Sequence, residues 1–247
     1  MSGHNKWSKI KRKKGVSDGK KAKAFTRILK EIAISIKETG VADPEGNPRL
    51  RLAITNAKGM NMPKDNIQRA IQKAAGKDAA NYIEVTYEGY APNGIAVFVE
   101  CTTDNINRTV ADVRHAITKN NGTLGTNGSL SFLFDRTGVF TIPKKNYSED
   151  EMTLLLIDAG ADDVIFEDNI FTAFTTLENF APMQKKLEEL SVEIENAELQ
   201  RIPKNTVALD VESAKKVLKL IDALEEYDDV QSVFHNMEMT EELVEAL

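Results

Sequence analysis

The sequence predicts an α+β multidomain fold in which an N-terminal three-helix bundle precedes two α/β domains, one inserted in the other and ferredoxin-like. Three observations predict this fold class. Apolar residues recur with a helical period in the first third of the chain and with a strand period after it. The order of elements over about 137–199 is β-α-β-β-α-β. The length of 247 residues is enough for two or three hydrophobic cores.

The first third of the chain predicts three short helices, over residues 20–39, 48–59 and 63–76. A glycine ends or follows each helix, and Asn47 is placed to cap the second helix ahead of its first proline. Each helix has a narrow apolar face that cannot keep it folded alone, so we expect the three to pack as a bundle. The first helix also carries a stripe of basic residues opposite its apolar face.

Beyond Tyr82, strands and helices alternate. The turn signal Asn93-Gly94 separates two strands, and the glycines of "GTLGTNG" are typical of inter-domain turns. The predicted elements are, in order, strands at 82–90 and 95–103, a helix at 107–120, the series "GVFTI", "SEDEMTLLLIDAG", "DDVIFE", "IFTAFTT", "LENFAPMQKKLEELS" and "VEIENAEL", the strand "TVALD", a helix over about 214–224, the strand "VQSVFHN" and an acidic tail.

The domain organisation follows from the number of elements in each segment. Neither 82–122 nor 206–236 is large enough to cover a sheet alone, so we predict that they form one domain into which the other is inserted. A separate C-terminal unit is the alternative. The predicted domains are a flexible basic arm at 1–19, a helical basic domain at 20–78, a discontinuous α/β domain at 79–130 plus 204–247, and an inserted ferredoxin-like domain at 131–203.

Charge is divided unevenly along the chain, whose net charge is −6. Residues 1–78 carry 19 Lys and Arg against 7 Asp and Glu, a net charge of +12, and the remaining residues carry −18. A basic segment of this kind indicates a nucleic-acid partner. The alternative is that the basic segment docks on the protein's own acidic domains or on an acidic partner. The acidic domains themselves could offer a docking surface for other proteins.

The candidate nucleic-acid contacts are the cations of the arm and of the three helices, together with one tryptophan that could stack on an unpaired base. Lysine and arginine neutralise phosphates, which sets affinity and position without reading sequence. The third helix has polar residues suited to base reading in a helix-turn-helix arrangement, but similar residues cover many solvated helices. The candidate contacts are Lys6, Trp7, Lys9, Lys11, Arg12, Lys13, Lys14, Lys20, Lys21, Lys23, Arg27, Lys30, Arg49, Arg51, Lys58, Lys64, Arg69 and Lys73.

A second candidate contact lies in the motif "TTDNINRT". Asp104 or Asn105 is expected to cap the helix that follows, where free backbone amides favour an anion. Plain capping and turn formation is the alternative explanation for the motif. The candidate ligand contacts in this segment are Asn105, Asn107 and Arg108.

The sequence has no pattern typical of an enzyme or a metal site. Three histidines and Cys101 are scattered without ligand spacing, and Cys101 lies in an apolar strand and is expected in the core. Acidic runs such as "EEYDD" lack a neighbouring base and are expected on helix starts and solvated faces. We predict no catalytic residue, no metal and no cofactor. The single cysteine, and the lack of a secretory leader or an apolar run of roughly 20 residues, predict a cytoplasmic protein without membrane contact.

Four stretches resemble the YebC/PmpR family of bacterial proteins: "GHNKWSKIKRKKG", "DPEGNPRLRLAITNAKGMNMPKDNIQRAI", "YEGYAPNGIAVFVECTTDNINRT" and "GTLGTNGSLSFLF". The resemblance covers nearly the whole chain and implies a helical N-terminal domain followed by two α/β domains. It also implies a DNA-binding transcriptional regulator that acts through the basic N-terminal domain. Mitochondrial relatives are translational activators. They imply the alternative of a factor bound to rRNA or tRNA on the ribosome that helps translation of difficult, for example proline-rich, stretches.

Overall fold

The computed structural model describes residues 18–76 and 79–246, with side chains from Lys21 onward. These residues form two compact units. The first holds the described residues up to Lys30, Asn81–Asp135 and those from Ile202 on, and the second holds those within Glu31–Ala80 and Arg136–Arg201. The boundaries predicted from the sequence, which keep 20–78 as a domain of its own, stay predictions.

Three helices form the N-terminal region: α1 (Asp18–Thr39), α2 (Pro48–Gly59) and α3 (Lys64–Ala75). Asn47 caps α2, as predicted, because its side-chain oxygen accepts a hydrogen bond of 3.0 Å from the Leu50 amide. The side-chain amide of Asn47 donates to the carbonyl oxygens of Ser35 and Val41, both at 2.9 Å. This buried asparagine therefore ties the end of α1 to the start of α2.

The first unit contains the strands β1 (Ile83–Tyr90), β2 (Ala96–Thr103), β3 (Thr123–Leu124) and β8 (Val230–His235). They form a four-stranded sheet in the order β3-β1-β2-β8. Strand β2 pairs antiparallel with both β1 and β8. Because β8 lies beside β2, segments on both sides of the inserted domain share one sheet, as the fold class predicts. The helices of this unit, besides the start of α1, are α4 (Ile106–Lys119), α7 (Val211–Glu225) and α8 (Glu241–Glu245).

The two faces of this sheet are covered by different parts of the chain. On one face, residues of β2 such as Val97 and Val99 pack in a large core with apolar residues of α4 and α7. On the other face, Phe98 packs in a smaller cluster with Leu130 and Phe134. The helices therefore cover one side of the sheet, and the segment that contains Leu130 and Phe134 covers the other.

The second unit contains a sheet in the order β5-β6-β4-β7, made of β4 (Phe134–Pro143), β5 (Asp163–Glu167), β6 (Ile170–Thr175) and β7 (Asn196–Pro203). Helix α5 (Glu149–Asp158) joins β4 to β5, and α6 (Leu177–Glu189) joins β6 to β7. Strand β6 lies between β4 and β5 and is antiparallel to both. This split β-α-β arrangement is ferredoxin-like, and the predicted fold class is confirmed.

Within the second unit, α2 is fixed to the segment that forms β7. The side chain of Asn56 donates to the carbonyl oxygen of Ala197 and accepts from its amide, both at 2.8 Å. A β-carbon at Gly59 would lie 1.9 Å from the carbonyl oxygen of Glu195. Only glycine permits this close approach of the two backbones.

Two segments differ from the predicted strands. The segment "TVALD" forms only an isolated bridge between Val207 and Met237, because Val207 is exposed and offers no buried face to a sheet. Strand β7 begins at Asn196, later than "VEIENAEL" predicts, and includes Pro203. Proline is tolerated there because β7 lies at the edge of its sheet. The predicted acidic tail contains the short helix α8.

Candidate nucleic-acid interface

Two cations of α1 bind the carboxyl end of α7. Lys23 forms an ion pair with the side chain of Glu226 and donates to its carbonyl oxygen at 2.9 Å. Arg27 donates to the carbonyl oxygen of Glu225 at 3.1 Å. The last carbonyl groups of a helix lack partners within the helix, and its dipole places partial negative charge there. Part of the predicted basic stripe is therefore neutralised by the protein itself.

Lys30 is buried, with 7% of the residue exposed. Its ammonium group donates to the carbonyl oxygens of Thr102 and Asp228 at 3.1 and 2.8 Å. It also donates to the carboxylate of Asp229 at 2.7 Å. An ammonium group has three donors, and all three are used here. In this arrangement Lys30 cannot reach an external phosphate.

Asp229 is the acceptor at the centre of this network. Its second carboxylate oxygen accepts from the guanidinium of Arg108 at 2.6 and 3.0 Å and from the Thr109 hydroxyl at 2.9 Å. Burial by itself raises the pKa of Asp229, but the hydrogen bonds from Lys30, Arg108 and Thr109 outweigh it and hold the pKa below its usual value. Asp229 is therefore a charged, fully bonded carboxylate.

The network lies in an open cleft of about 590 Å³ in the first unit. Burial, helped by the charges of Asp104 and Asp229, raises the pKa of Tyr82 at its edge. Further carboxylates of Asp112, Glu226 and Asp228 line the cleft. A cleft with this many negative charges does not favour phosphate.

The start of α4 contains the second set of candidate contacts. Asn105 caps the helix, as one of the two predicted capping residues, and its side-chain oxygen accepts from the Arg108 amide at 3.1 Å. Asn107 is exposed. The guanidinium of Arg108 also binds Asp104 at 2.9 Å, in addition to Asp229. A ligand at Arg108 would compete with two carboxylates, and ligand contact by Asn105, Asn107 and Arg108 stays a prediction.

The arginines of α2 and α3 are also engaged within the protein. Arg49 binds Glu31 and Glu38 of α1 at 2.7 and 2.6 Å. Arg51 donates to two backbone carbonyl groups of the turn between α1 and α2, at 3.1 and 3.0 Å. Arg69 donates to a backbone carbonyl of its own helix at 3.2 Å. These guanidinium groups fix the local fold as well as carrying charge.

The lysines of α2 and α3 differ from the arginines. Lys58, Lys64 and Lys73 are exposed, and none forms a hydrogen bond or ion pair with the described residues. In α1, Lys21 is exposed, with its ammonium 5.7 Å from the ring centre of Phe25. Only the backbone of Lys20 is described, and seven candidates lie outside the described residues: Lys6, Trp7, Lys9, Lys11, Arg12, Lys13 and Lys14.

Across 18–76 and 79–246, no cluster of three or more His, Cys, Asp or Glu side chains is placed to hold a metal ion. Burial raises the pKa of the Cys101 thiol to about 12, which makes it a protonated core residue at neutral pH. No helix in these ranges combines the length and the apolar character needed to cross a membrane.

Two family patterns match the chain. Residues 5–77 match the pattern described as the TACO1/YebC protein N-terminal domain, and residues 82–237 match the TACO1/YebC second and third domain. The chain belongs to the TACO1/YebC family.

Individual relatives cover all or nearly all of this TACO1/YebC protein. A protein of Chlorobaculum parvum is 50% identical over 249 residues, which cover 100% of this chain and 99% of that one. A protein of Amoebophilus asiaticus is 52% identical over 240 residues, which cover 96% and 98%. Both are named "Probable transcriptional regulatory protein". The crystal structure of a conserved hypothetical protein from Aquifex aeolicus is similar, with a TM-score of 0.80 and 45% identity over 89% of this chain and 91% of that one.

Asp229 is the residue of this TACO1/YebC protein that sequence reasoning missed. It belongs to "EEYDD", a run expected on a solvated face, yet its side chain is only 7% exposed. One feature of the sequence indicates its burial: Asp229 directly precedes the apolar strand β8. The basic residues that it neutralises are more than 100 positions away in the chain.

Proposed function

We propose that this protein is a nucleic-acid-binding regulator of gene expression that holds a phosphate backbone with exposed lysines of α2 and α3. One observation carries the proposal: Lys58, Lys64 and Lys73 have no acidic partner among the described residues, although acidic residues outnumber basic ones in the chain. Exposed lysines that an acidic protein leaves unpaired are suited to an external polyanion. The names of the two relatives agree with a regulatory role.

In the first form of this proposal, the protein is a DNA-binding transcriptional regulator. Gln68, Gln72 and Lys73 are all exposed on α3. Amide side chains can pair with base edges in the major groove, and lysine contacts phosphates beside it. The basic arm at 1–19 would add further phosphate contacts. This form agrees with the names of the relatives.

In the second form, the protein is a translation factor that binds RNA on the ribosome and helps translation of difficult stretches such as consecutive prolines. One observation favours it. The guanidinium of Arg69 donates to Asn66 at 2.5 Å and to the backbone of Asp65, so it lies along its own helix. An arginine held this way is not presented to a guanine edge. Phosphate contact without base reading suits structured RNA as well as duplex DNA.

Crosslinking in cells, followed by sequencing of the bound nucleic acid, separates the two forms. Enriched promoter reads are expected for the transcriptional form, and rRNA or tRNA reads without promoters are expected for the ribosomal form. The matched variant carries Lys58→Gln, Lys64→Gln and Lys73→Gln, and we expect it to recover less nucleic acid in either case. Equal recovery by the variant and the wild type would exclude the proposed surface.

A further inference from the structure

Two exposed aromatic side chains belong to the first unit and have no place in the function proposed so far. Phe132 is 66% exposed and Tyr90 is 44% exposed. Tyr90 ends β1, and Phe132 lies in the 3-10 turn Ser131–Leu133, which leads into β4. A ligand that covers these rings would remove their apolar faces from water.

Tyr90 and the turn that carries Phe132 belong to the same side of the sheet. Side chains alternate along a strand, so Tyr90 shares a face with Glu88, which lies opposite Phe98 in β2. Phe98 packs with Leu130 and Phe134, the buried residues on either side of the turn. The turn therefore covers the face of the sheet to which Tyr90 belongs.

The loop before the turn is held by a buried carboxylate. Glu88 is 3% exposed, and its two oxygens accept hydrogen bonds from the amides of Gly128 and Leu130, at 2.7 and 2.5 Å. Leu130 and Phe134 are themselves 1% and 5% exposed. The ring of Phe132 is therefore presented to solvent between two anchored residues, which lowers the entropy cost of binding a ligand there.

We propose that Tyr90 and Phe132 are stacking sites for unpaired nucleotides, an inference that rests on the proposed nucleic-acid binding and names single-stranded segments as a ligand. Base faces stack on exposed aromatic rings, and sheet faces are a common support for such rings. Asp135 and Arg136, which follow the turn of Phe132, are exposed and charged. The other exposed residues around the two rings in the chain are small and polar, whereas a protein interface would bring a continuous apolar core. These neighbours are Thr123, Thr126, Asn127 and Ser131.

Charged residues restrict the proposed stacking sites to one end of the sheet face. The amide of Lys204 donates to the carbonyl oxygen of Leu133 at 2.9 Å, and its ammonium lies 3.3 Å from Asp135. By strand alternation, Glu84 and Glu100 lie on the same face as Tyr90 but at its other end, where they would repel a phosphate backbone.

The test uses the full chain and two ten-nucleotide probes of one sequence. The first is an oligoadenylate RNA with a central 2-aminopurine, whose fluorescence falls when the base stacks, and the second is its duplex form. We expect Tyr90→Ala and Phe132→Ala each to weaken binding of the single strand about 5- to 100-fold and to reduce the quenching. Duplex binding should be unchanged. Phe132→Trp should bind as wild type does, and Leu154→Ala, at a 64% exposed site on α5, is the control.

Three results would overturn the proposal. The first is unchanged single-strand affinity in both alanine variants. The second is full affinity in Phe132→Leu, because leucine keeps an apolar surface without a ring and would indicate a protein-like contact. The third is a wild-type protein that binds neither probe, which would remove the proposed function as well. A wild type that binds both probes with no dependence on the rings removes the stacking sites alone.

Discussion

At the scale of single residues, Asp229 explains why part of the basic region is neutral in the folded protein. A buried ion pair is tolerated only when hydrogen bonds satisfy the remaining donors and acceptors. Asp229 meets this condition, because Lys30 binds one carboxylate oxygen and Arg108 and Thr109 bind the other. The pair joins α1 to the sheet and to α4 in the first unit. Removing one member leaves the other as a buried, uncompensated charge.

Asp229→Asn should therefore lower the free energy of unfolding by about 3–5 kcal/mol, the loss typical of a broken buried pair. Urea unfolding followed by circular dichroism measures this change. The control is Glu226→Gln, which removes the partner of Lys23 at a site where the side chain is 74% exposed. That change should cost less than about 1 kcal/mol. Equal losses in the two variants would contradict the described network.

The stabilisation by Asp229 should also depend on pH. The folded-state pKa of Asp229 is lowered, so the carboxylate is more stable in the folded than in the unfolded chain. This stabilisation is complete above the ordinary aspartate pKa of about 4 and is lost as the pH falls from there through the lower folded-state pKa. The difference in unfolding free energy between wild type and Asp229→Asn should shrink below pH ~4. A difference that stays constant during acidification would be inconsistent with the lowered pKa.

At the scale of elements, the contact of α2 with the β7 segment depends on two residues of α2, Asn56 and Gly59. The side chain of Asn56 forms hydrogen bonds with both the carbonyl oxygen and the amide of Ala197, as the backbone of a neighbouring strand would. Gly59 lets the end of α2 approach Glu195. The helix is therefore fixed by backbone recognition as well as by the packing of Leu52 against the core of the second unit.

Gly59→Ala should lower the free energy of unfolding by about 1–3 kcal/mol, because the added methyl group would overlap the Glu195 carbonyl oxygen. In a helix without this contact, alanine would be the more stable residue. Gly76→Ala is the control, since its added β-carbon would have ordinary contacts at 3.4 Å. We expect it to change stability by no more than about 0.5 kcal/mol. A Gly59→Ala variant as stable as the control would show that the helix end is not in close contact.

Local signals explain which elements the sequence predicts well. The start of α2 depends on Asn47 and the proline after it, which are neighbours in the chain, and its predicted bounds agree with the observed helix. The burial of Lys30 depends instead on Asp229, which lies 199 residues away. No periodicity within one helix contains that information. The contacts of Lys23 and Arg27 with the end of α7 could not be predicted either, because their partners are also distant in the chain.

At the scale of the whole molecule, charge is separated along the chain but partly cancelled in the fold. Residues 1–78 carry a net charge of +12 and the rest carry −18. Lys23, Arg27 and Lys30 bind acidic or carbonyl groups of the protein, so these three residues dock on the protein itself. Contact of the other basic residues with nucleic acid stays a proposal. The described cations that stay available are exposed lysines such as Lys58 and Lys73.

The central claim is that these lysines hold phosphates, and the salt dependence of binding tests it most directly. The affinity of the full chain for a duplex and for a structured RNA is measured from 50 to 200 mM salt, for wild type and for the triple Lys→Gln variant at 58, 64 and 73. Removing three phosphate contacts should reduce the slope of log K against log salt by about 2 to 3. The control removes the same charge from exposed lysines elsewhere, Lys119, Lys216 and Lys219, and should keep the wild-type slope. A slope unchanged in the first variant, or reduced equally in both, would contradict the claim.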